Sequence, residues 1–369
     1  MYRTAGPWSI LWTGPGILLA SLMIAWGAEC SQFFVAQGLA LAILAWLQTL
    51  PEFAVEAVLA VHQQSQYLLA GLTGALRLLT GLGWPMIYLT AAIAHRAHYK
   101  APMGRIVLPK HQSIQVMGLA ACLVYVTVIA VKASLNIYDS LVLVGVYGAY
   151  LWILRQGPRE TRENIDDLGA IPKSIVLSPK RVRIASIAGL FLSGGALIYF
   201  LAEPFLNSLF ALAAAAGVSE FVFIQWVAPL VSEFPEFFSA YYWARNVEKA
   251  PMALMNLVSS NINQWTLLSA MLPVVLSIGH GSIVPLDFDP KQRVEYVMTF
   301  GQQLLGLTFL FNLEFAWWEA AGLFMLWLLQ FIFSSPQTHW LVTYVYFGWA
   351  AVELARTRRI AAWQAWRGL

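Results

Sequence analysis

Long apolar runs constrain this chain more than any other feature of its sequence. Of its 369 residues, 59% are hydrophobic and only 11% are charged, whereas a soluble domain needs a far larger charged share to cover its surface. Crossing the hydrocarbon core of a bilayer takes about 20 apolar residues. The sequence therefore predicts a polytopic membrane protein with spans near 8–28, 31–61, 67–95, 114–132, 135–154, 184–203, 205–245, 251–279, 294–313, 315–333 and 338–355.

The same runs predict the secondary structure of the spans. Only helices and closed barrels satisfy every backbone polar group without water, and these runs are too long and too uniformly apolar for barrel strands. We therefore expect an all-α fold. The segment 205–245 exceeds one crossing, so we expect it to hold a short piece followed by a full span.

Basic loops indicate the topology. The largest polar interruption, residues 155–183, carries seven basic and four acidic residues, and Lys and Arg are enriched in cytoplasmic loops. Counting spans outward from this loop places the basic 96–112 and 245–249 loops and the C-terminal tail on the same side. We expect an integral protein of the cell (inner) membrane, with its N-terminus outside and its C-terminus in the cytoplasm.

A stretch of the second span, TLPEFAVEAV (49–58), recurs in part in the second half of the chain. Sliding the sequence so that position 52 falls on position 236 places Leu-Pro-Glu-Phe (50–53) on Phe-Pro-Glu-Phe (234–237). An odd number of predicted spans separates the copies, so they cross the bilayer in opposite directions. This layout is typical of inverted-repeat transporters, whose substrate site lies near the midplane between the repeats. We expect Glu52 and Glu236 to approach each other there.

Each copy places a proline directly before its glutamate. Proline has no N–H and clashes with the preceding turn, which leaves backbone carbonyl groups without helical partners. Carbonyl and carboxylate oxygens are the ligands that Ca²⁺ prefers. Because an uncompensated carboxylate in a membrane costs at least about 2.5 kcal/mol, the pattern predicts a cation site. The alternative is that both glutamates are protonated or paired groups that only pack helices.

These motifs resemble the repeats of the sodium/calcium exchanger family within the cation/Ca²⁺ antiporter superfamily. Repeats of that family read approximately G-T-S-L-P-E, followed further along by G-S-N-I-x-[ND]. Here the first repeat has LQTLPE (47–52), and the second has VSEFPE (231–236) and VSSNINQ (258–264). The resemblance implies that Glu52 and Glu236 coordinate Ca²⁺ and Na⁺ together with backbone oxygens of the preceding turn.

Other polar positions are carried over from the family in the same way. They match its ligand rows by residue type or position and are Gln48, Thr49, Ser232, Ser260, Asn261 and Gln264. The resemblance implies Ca²⁺ and Na⁺ as transported ions, with H⁺ or K⁺ as alternatives. It implies no cofactor, and the expected partners are the lipid bilayer and inorganic cations.

The second part of the first motif departs from the family pattern. Where the family carries Ser, Asn and then Asn or Asp, this chain has Leu76, Arg77 and Thr80, and only Thr80 stays a candidate ligand. Arg keeps its charge in a protein, and Arg77 lies about 100° around the helix from the expected site-facing position. Two outcomes stay open: Arg77 tunes the site by pairing with Glu52 or Glu233, or it pairs elsewhere or reaches an interface.

Further glutamates lie beside the motif pair. Glu233 precedes Glu236 by three residues, on the same side of a continuous helix, so it either restores negative charge to the site or is a solvated acid at its mouth. Glu56, one turn after Glu52, is either a ligand or proton relay, or a helix-pairing or exposed group. Acids expected at interfaces near span ends are Glu29, Glu203, Glu220, Glu314 and Glu319.

Several classes of function do not fit the sequence. The basic residues collect in loops and in the tail, the six histidines form no HExxH pattern, and no GxxxxGK[ST] loop is present. We therefore expect no nucleic-acid binding, no ATP-driven transport within this chain and no enzyme activity. Cys30 and Cys122 lie apart without metal-ligand spacing and are interpreted as buried thiols.

The combined pattern predicts an all-α membrane protein of two inverted five-helix repeats and an extra C-terminal helix. Its expected function is secondary cation antiport of the sodium/calcium exchanger type, with alternating access to a midplane site. The alternatives are a proton-coupled monovalent cation exchanger and an exchanger-like scaffold that no longer transports. The expected parts are 1–154 (motif 47–81), the cytoplasmic loop 155–183, 184–334 (motif 231–265) and the helix and basic tail 335–369.

Overall fold

A computed structural model describes residues 6–31, 33, 49–156, 165, 168–357 and 360–368. Helices make up most of these residues, as the apolar runs predict. In chain order they are α1 Ile10–Ser31, α2 Leu50–Val61, α3 Ser65–Tyr99, α4 Ser113–Lys132, α5 Ile137–Gln156, α6 Ala170–Val176, α7 Lys180–Ala216, α8 Glu220–Ser232, α9 Phe234–Ala244, α10 Val247–His280, α11 Pro290–Leu310, α12 Trp317–Ile332, α13 Pro336–Arg356 and α14 Ala361–Arg367.

The hydropathy of the helices makes this an integral membrane protein. Six described helices are long and apolar enough to cross a bilayer by length and composition alone. They are α3, α4, α5, α7, α10 and α1, the last together with the 3-10 turn Pro7–Ser9 that precedes it. The remaining core helices are shorter or carry the polar side chains that line the protein interior, as α11 does with Glu295, Gln302 and Gln303.

The boundary expected at residue 204 is wrong. Helix α7 runs without interruption through Pro204 to Ala216, so the short piece expected after 204 is the end of α7. Proline is tolerated inside transmembrane helices because neighbouring groups satisfy the freed carbonyl. The helix ends instead at Gly217, whose φ of +66° favours a residue without a Cβ. Glu203, expected near a span end, therefore lies well inside α7.

Two short sheets at opposite ends of the bundle reveal the inverted arrangement. Strand β1 (Arg105–Val107), before α4, pairs antiparallel with β4 (Glu314–Ala316), before α12. Strand β2 (Ser134–Leu135), before α5, pairs antiparallel with β3 (Leu286–Asp287), before α11. Each sheet thus joins a linker of the first half to a linker of the second half. The earlier linker of one half pairs with the later linker of the other half.

The helices that carry the Pro-Glu motifs have equivalent packing partners in the two halves of the chain. Helix α2 packs on the Ser269–His280 part of α10, and α9 packs on the Trp84–Tyr99 part of α3. Helices α3 and α10 each contain one π-helical segment, Leu79–Gly83 and Gln264–Leu268. Extra residues of this kind in a helix are frequent at functional sites, and here they occur at corresponding positions of both halves.

The C-terminal helix α13 is packed into the bundle rather than separate from it. It lies along α11, where Val342, Tyr346 and Ala350 are buried. Phe300 of α11 contacts Phe347 with ring centroids 5.6 Å apart. One face of the segment that follows the second five-helix repeat therefore packs against the bundle, and its other face is exposed.

Candidate cation site

The Pro-Glu motifs start two helices at matching breaks in the backbone. Thr49, before α2, has φ −88° and ψ 0°, and Glu233, before α9, has φ −90° and ψ −2°. In both cases the next helical turn closes on the break residue, with Phe53 N donating to Thr49 O (3.0 Å) and Phe237 N donating to Glu233 O (3.1 Å). The two halves thus present the first turns of α2 and α9 in the same way.

Four glutamates lie buried where these first turns meet. Glu52 and Glu56 come from α2, Glu236 comes from α9, and Glu233 comes from the break before α9, and each is at most 5% exposed. Glu52 lies within electrostatic range of Glu56, Glu233 and Glu236. We refer to Glu52, Glu56, Glu233 and Glu236 as the glutamate cluster. The structure thus brings together the two acids that the repeat predicts and the two acids whose role the sequence left open.

Gln264 connects acids from the two halves of the chain. Its side-chain nitrogen Nε2 donates to Glu52 Oε2 (3.1 Å) and to Glu233 Oε1 (2.5 Å). Ser260, one turn earlier on α10, forms a hydrogen bond with Glu236. Two candidate residues of the second motif therefore contact the glutamates directly.

Each acid of the cluster retains an oxygen that could bind a cation. The atoms Glu52 Oε1, Glu56 Oε2, Glu233 Oε2 and Glu236 Oε2 are buried and have no hydrogen-bond partner among the described residues. The side-chain amide oxygen of Gln264, Oε1, is also buried without a hydrogen-bond partner among the described residues. Unpaired buried acceptors are costly and call for an explanation, and a bound cation or proton would satisfy them.

No described group of three or more His, Cys, Asp or Glu side chains is arranged so that it alone could hold a metal ion. Ca²⁺ binding at the cluster would therefore require amide, hydroxyl or backbone oxygens beside the carboxylates, in keeping with the six to eight oxygen ligands that Ca²⁺ takes. Gln264 and Ser260 already lie against the acids. The donor set is entirely oxygen, which suits a hard cation.

The other candidate ligands of the first break and of α8 lie beside the cluster. Thr49 Oγ1 accepts a hydrogen bond from Asn263 Nδ2 (2.7 Å). The hydroxyl of Ser232 donates to Ala228 O (3.1 Å) of its own helix, and Ser232 lines a small cavity together with Glu52 and Glu56. Gln48 lies outside the described residues.

Thr80 and Asn261 belong to a separate polar group next to the glutamates. Asn261 Nδ2 donates to Thr80 Oγ1 (2.9 Å) and to Gln303 Oε1 (3.2 Å), and Gln303 Nε2 also donates to Thr80 Oγ1 (2.7 Å). Gln303 of α11 is a polar residue that the motif comparison missed. Two adjacent buried glutamines, Gln302 and Gln303, in a predicted membrane span were the signal available in the sequence.

Glu56 fits against α3 because residue 71 is glycine. A Cβ at Gly71 would lie 1.7 Å from Glu56 Oε1, so any other residue would displace the carboxylate. Glu56 is only 1% exposed, and no described Lys or Arg forms an ion pair with it. Of the two roles considered, a buried acid facing the site cavity is closer to the geometry than a solvated helix-pairing group.

Arg77 does not pair with Glu52 or Glu233. Its Nη2 lies 2.6 Å from Glu295 Oε2 of α11, and its Nη1 donates to Gln330 Oε1 of α12 (3.0 Å). Of the two outcomes left open, the structure contradicts the site-tuning pairing and shows a pairing elsewhere, because α11 supplies a buried acid, Glu295. Glu295 also lies against His339 of α13, with its Oε1 3.0 Å from His339 Nδ1.

The five acids expected near span ends have neighbouring groups in the structure. Glu220 accepts from the Tyr67 hydroxyl (2.6 Å), and Glu314 pairs with Arg105 (2.7 Å). Glu319 caps the start of α12 by accepting from Ala316 N (2.7 Å). Glu203 lies 3.8 Å from His62. Glu29 lines a cavity between α1, α6 and α9 that also reaches Pro235, the residue before Glu236.

Comparisons with known proteins identify the family of this chain and structures with a similar fold. The family described as sodium/calcium exchanger protein matches residues 7–155 and 186–335. No curated protein sequence matches the chain significantly.

Among solved structures, the crystal structure of the H⁺/Ca²⁺ exchanger CAX has a TM-score of 0.91 and 29% identity, covering 100% of this chain and 91% of that one. The sodium-calcium exchanger NCX_Mj has a TM-score of 0.59 and 18% identity, covering 88% and 97%. The structure of native YfkE has a TM-score of 0.56 and 15% identity, covering 92% of each chain. The last two show similarity of fold alone.

Proposed function

Because the chain belongs to the sodium/calcium exchanger protein family, we propose that its glutamate cluster is the transported-cation site of a Ca²⁺ antiporter. The observation that carries this proposal is the set of four buried glutamates, each with one carboxylate oxygen that lacks a partner among the described residues. Negative charge in a membrane interior is costly unless a cation or proton balances it. This cost favours the states of the site in which a cation or a proton is bound.

Ca²⁺ fits the donor set of the cluster. The ion takes six to eight oxygens at 2.3–2.6 Å in flexible geometry. Glu52, Glu233 and Glu236 supply carboxylates, Gln264 supplies an amide oxygen, and the prolines before the glutamates free backbone carbonyls nearby. Glu56, one turn from Glu52, lies at the edge of this set and is suited to receive a proton from it.

We propose protons as the ions that exchange for Ca²⁺. A proton occupies a single carboxylate oxygen, whereas Na⁺ is coordinated by unwound backbone carbonyls and polar groups. The first repeat has Leu76 and Arg77 where the family supplies polar side chains, and Arg77 is bound to Glu295, so ligands for Na⁺ are fewer. The 29% identity to a protein named as an H⁺/Ca²⁺ exchanger supports the same choice.

Na⁺-coupled Ca²⁺ exchange is the second candidate. It is supported by the family description and by hydroxyl and amide groups beside the acids, such as Thr49 and Ser260. These neutral oxygens could serve a monovalent cation. The two candidates use the same cluster and differ only in the ion that replaces Ca²⁺.

Alternating access follows from the inverted arrangement. The equivalent breaks before α2 and α9 place the cluster between the two repeats, and transporters of this type rock one repeat or bundle against another around a fixed site. The cavity between α1, α6 and α9 would lead to the cluster from the cytoplasm if the 155–183 loop lies there, as the basic residues indicate. We place the protein in the cell membrane with its C-terminus inside, and we divide it into halves 1–154 and 184–334.

Ion flux in proteoliposomes tests the proposal. The purified full chain is reconstituted, and ⁴⁵Ca²⁺ uptake is compared under an outwardly directed H⁺, Na⁺ or K⁺ gradient, with the membrane potential clamped. We expect the H⁺ gradient to drive uptake and the Na⁺ and K⁺ gradients to leave it at the level of gradient-free vesicles. Uptake driven by Na⁺ alone would favour the second candidate, and no uptake under any gradient would favour the non-transporting scaffold.

A further inference from the structure

A second buried charged group lies apart from the glutamate cluster. It joins Arg77 of α3, Glu295 of α11 and His339 of α13 through two short contacts, Arg77 Nη2 to Glu295 Oε2 (2.6 Å) and His339 Nδ1 to Glu295 Oε1 (3.0 Å). The Arg77 and Glu295 side chains are at most 2% exposed, and the His339 side chain is 9% exposed. We call these three residues, with Gln225 and Gln330, the arginine cluster.

Every helix packed around this cluster contributes a polar or aromatic group to it. Gln225 Nε2 of α8 donates to Glu295 Oε2 (3.0 Å), and Trp226 places its ring 5.0 Å from the Arg77 guanidinium. Gln330 of α12 accepts from Arg77. Tyr346 of α13 interacts electrostatically with Arg77. The titratable or charged groups facing His339 are therefore Glu295, Arg77 and Tyr346.

The charges of the cluster balance only while His339 is neutral. Arg77 stays positively charged and Glu295 supplies one negative charge, so these two residues cancel. A proton taken up by the imidazole gives the cluster a net positive charge, and it places two cations on one carboxylate. The proton comes from water and returns to it, and no covalent bond other than N–H is made or broken.

His339 is placed where a proton can reach it. It lies three residues after Pro336, at the start of α13, and Ser335 caps that helix end. The His339 side chain keeps 9% exposure, whereas the Arg77 and Glu295 side chains are at most 2% exposed. Histidine is the side chain whose ordinary titration falls between pH 5 and 8. The helix that follows the two repeats thus brings a titratable group from the surface to a buried ion pair of the transport core.

We propose that His339 is a proton-binding site separate from the transported-cation site, and that its protonation slows Ca²⁺ exchange by competing with Arg77 for Glu295. The ion pair ties α3 to α11 one turn before Thr80, which hydrogen-bonds Asn261 and Gln303 beside the glutamates. Weakening that tie changes the packing of α3 at the edge of the cation site. The proposal rests on the proposed Ca²⁺ exchange for its transport readout only.

Two measurements on the full chain test the proposal. The first follows the imidazole ¹H–¹³C NMR signals of histidine-labelled protein in detergent from pH 5 to 9, assigned by His339→Gln. The second follows ⁴⁵Ca²⁺/Ca²⁺ exchange in proteoliposomes with equal pH on both sides, so that no proton gradient drives the ion. His280→Gln serves as the matched control because His280 is exposed at the end of α10.

We expect the imidazole signal of His339 to change with pH across this range, and the midpoint of that change to move in Glu295→Gln because the carboxylate in contact with the imidazole loses its charge. Exchange by the parent and by His280→Gln should fall about tenfold per pH unit below the same midpoint, as a single proton requires. Measured at saturating Ca²⁺, where proton competition at the glutamate cluster is overcome, His339→Gln should remove this fall.

A His339 signal that does not titrate, or His339→Gln exchange that falls with pH as the parent does, would overturn the proposal. If the parent exchanges no Ca²⁺ at any pH, the proposed function fails, and the NMR titration still decides whether His339 binds a proton in contact with Glu295. A folded His339→Gln protein is recognised by the unchanged signals of the other histidines, which separates loss of the site from loss of the fold.

Discussion

Two buried polar clusters share the interior of this protein and differ in their charge balance. The glutamate cluster has four acids, and no described Lys or Arg forms an ion pair with any of them. The arginine cluster sets one acid, Glu295, against Arg77 and His339 within 3.0 Å. Both are buried, so burial does not distinguish the proposed cation site from a structural ion pair. The two clusters differ instead in whether the charges of their described side chains balance.

The difference has a physical basis. Removing two opposite charges from water is repaid only when they pair and gain further hydrogen bonds. In the arginine cluster, Gln225 donates a hydrogen bond to Glu295 and Gln330 accepts one from Arg77. The glutamate cluster has only neutral donors, Gln264 and Ser260. A transported cation would supply the positive charge that balances these acids.

Neutralising an acid of the glutamate cluster should have the largest effect. Glu52→Gln and Glu236→Gln each remove a charged ligand at nearly constant volume, worth about 3 kcal/mol or more, or roughly a 100-fold loss of Ca²⁺ affinity. We expect Ca²⁺ flux to disappear while the protein keeps its thermal stability. Glu203→Gln is the matched control, because Glu203 lies on the exposed face of α7. Full flux in Glu52→Gln would remove that residue from the mechanism.

Breaking the arginine cluster should lower stability and slow Ca²⁺ exchange without raising Ca²⁺ affinity. Arg77→Asn leaves Glu295 buried without its main partner, which costs about 3–5 kcal/mol. We therefore expect a lower unfolding temperature in detergent and no gain in Ca²⁺ affinity of the folded fraction.

The double variant Arg77→Met with Glu295→Met sharpens this prediction. Removing both charges leaves no unpaired ion, so the double variant should be more stable than Arg77→Asn alone. Tighter Ca²⁺ binding in Arg77→Asn would show instead that Arg77 acts on the cation site.

Gly71→Ala tests the position of Glu56 with a single added methyl group. The Cβ would lie 1.7 Å from Glu56 Oε1, and overpacking of this kind costs about 1–3 kcal/mol. We expect reduced stability and slower Ca²⁺ flux, measured by thermal unfolding and ⁴⁵Ca²⁺ uptake. Gly145→Ala is the control because a Cβ there meets no atom within 4 Å. Equal flux in both variants would place Glu56 outside the transport path.

Gln264→Ala should have the smallest of these effects. It removes the donor shared by Glu52 and Glu233 and a candidate amide ligand, at about 1.4 kcal/mol or roughly tenfold in Ca²⁺ affinity. Calorimetric titration with Ca²⁺ measures the change. An affinity equal to that of the parent would show that Gln264 lies between the acids without binding the ion.

The local part of the site could be predicted from the sequence. Glu52 and Glu236 each follow a proline in matching repeats, and the same offset relates the two breaks at Thr49 and Glu233. A repeated motif carries its own local geometry, because proline, burial and helix starts act over a few residues. The all-α class and the inverted halves also follow from periodic apolar runs and the span count.

The contacts between distant residues could not be predicted in this way. Arg77 needs an acid, and the repeat motifs offered Glu52 or Glu233 but could not identify a partner outside them, whereas folding supplies Glu295, over 200 positions away. Gln303 reaches Thr80 across a similar separation. Pro204 was misread as a boundary because the preference of proline for helix ends is weak in transmembrane helices. In each case, tertiary packing determined a contact or a helix boundary that the local sequence did not specify.

The most direct test of the central claim is whether Ca²⁺ binding to the glutamate cluster releases protons. Calorimetric titration of the detergent-solubilised chain with Ca²⁺, in two buffers of different ionisation enthalpy at the same pH, gives the number of protons released per ion. We predict Ca²⁺ binding with proton release in the parent and in Glu203→Gln, and neither in Glu52→Gln or Glu236→Gln. Ca²⁺ binding that releases no protons and is unchanged in both cluster variants would contradict the account.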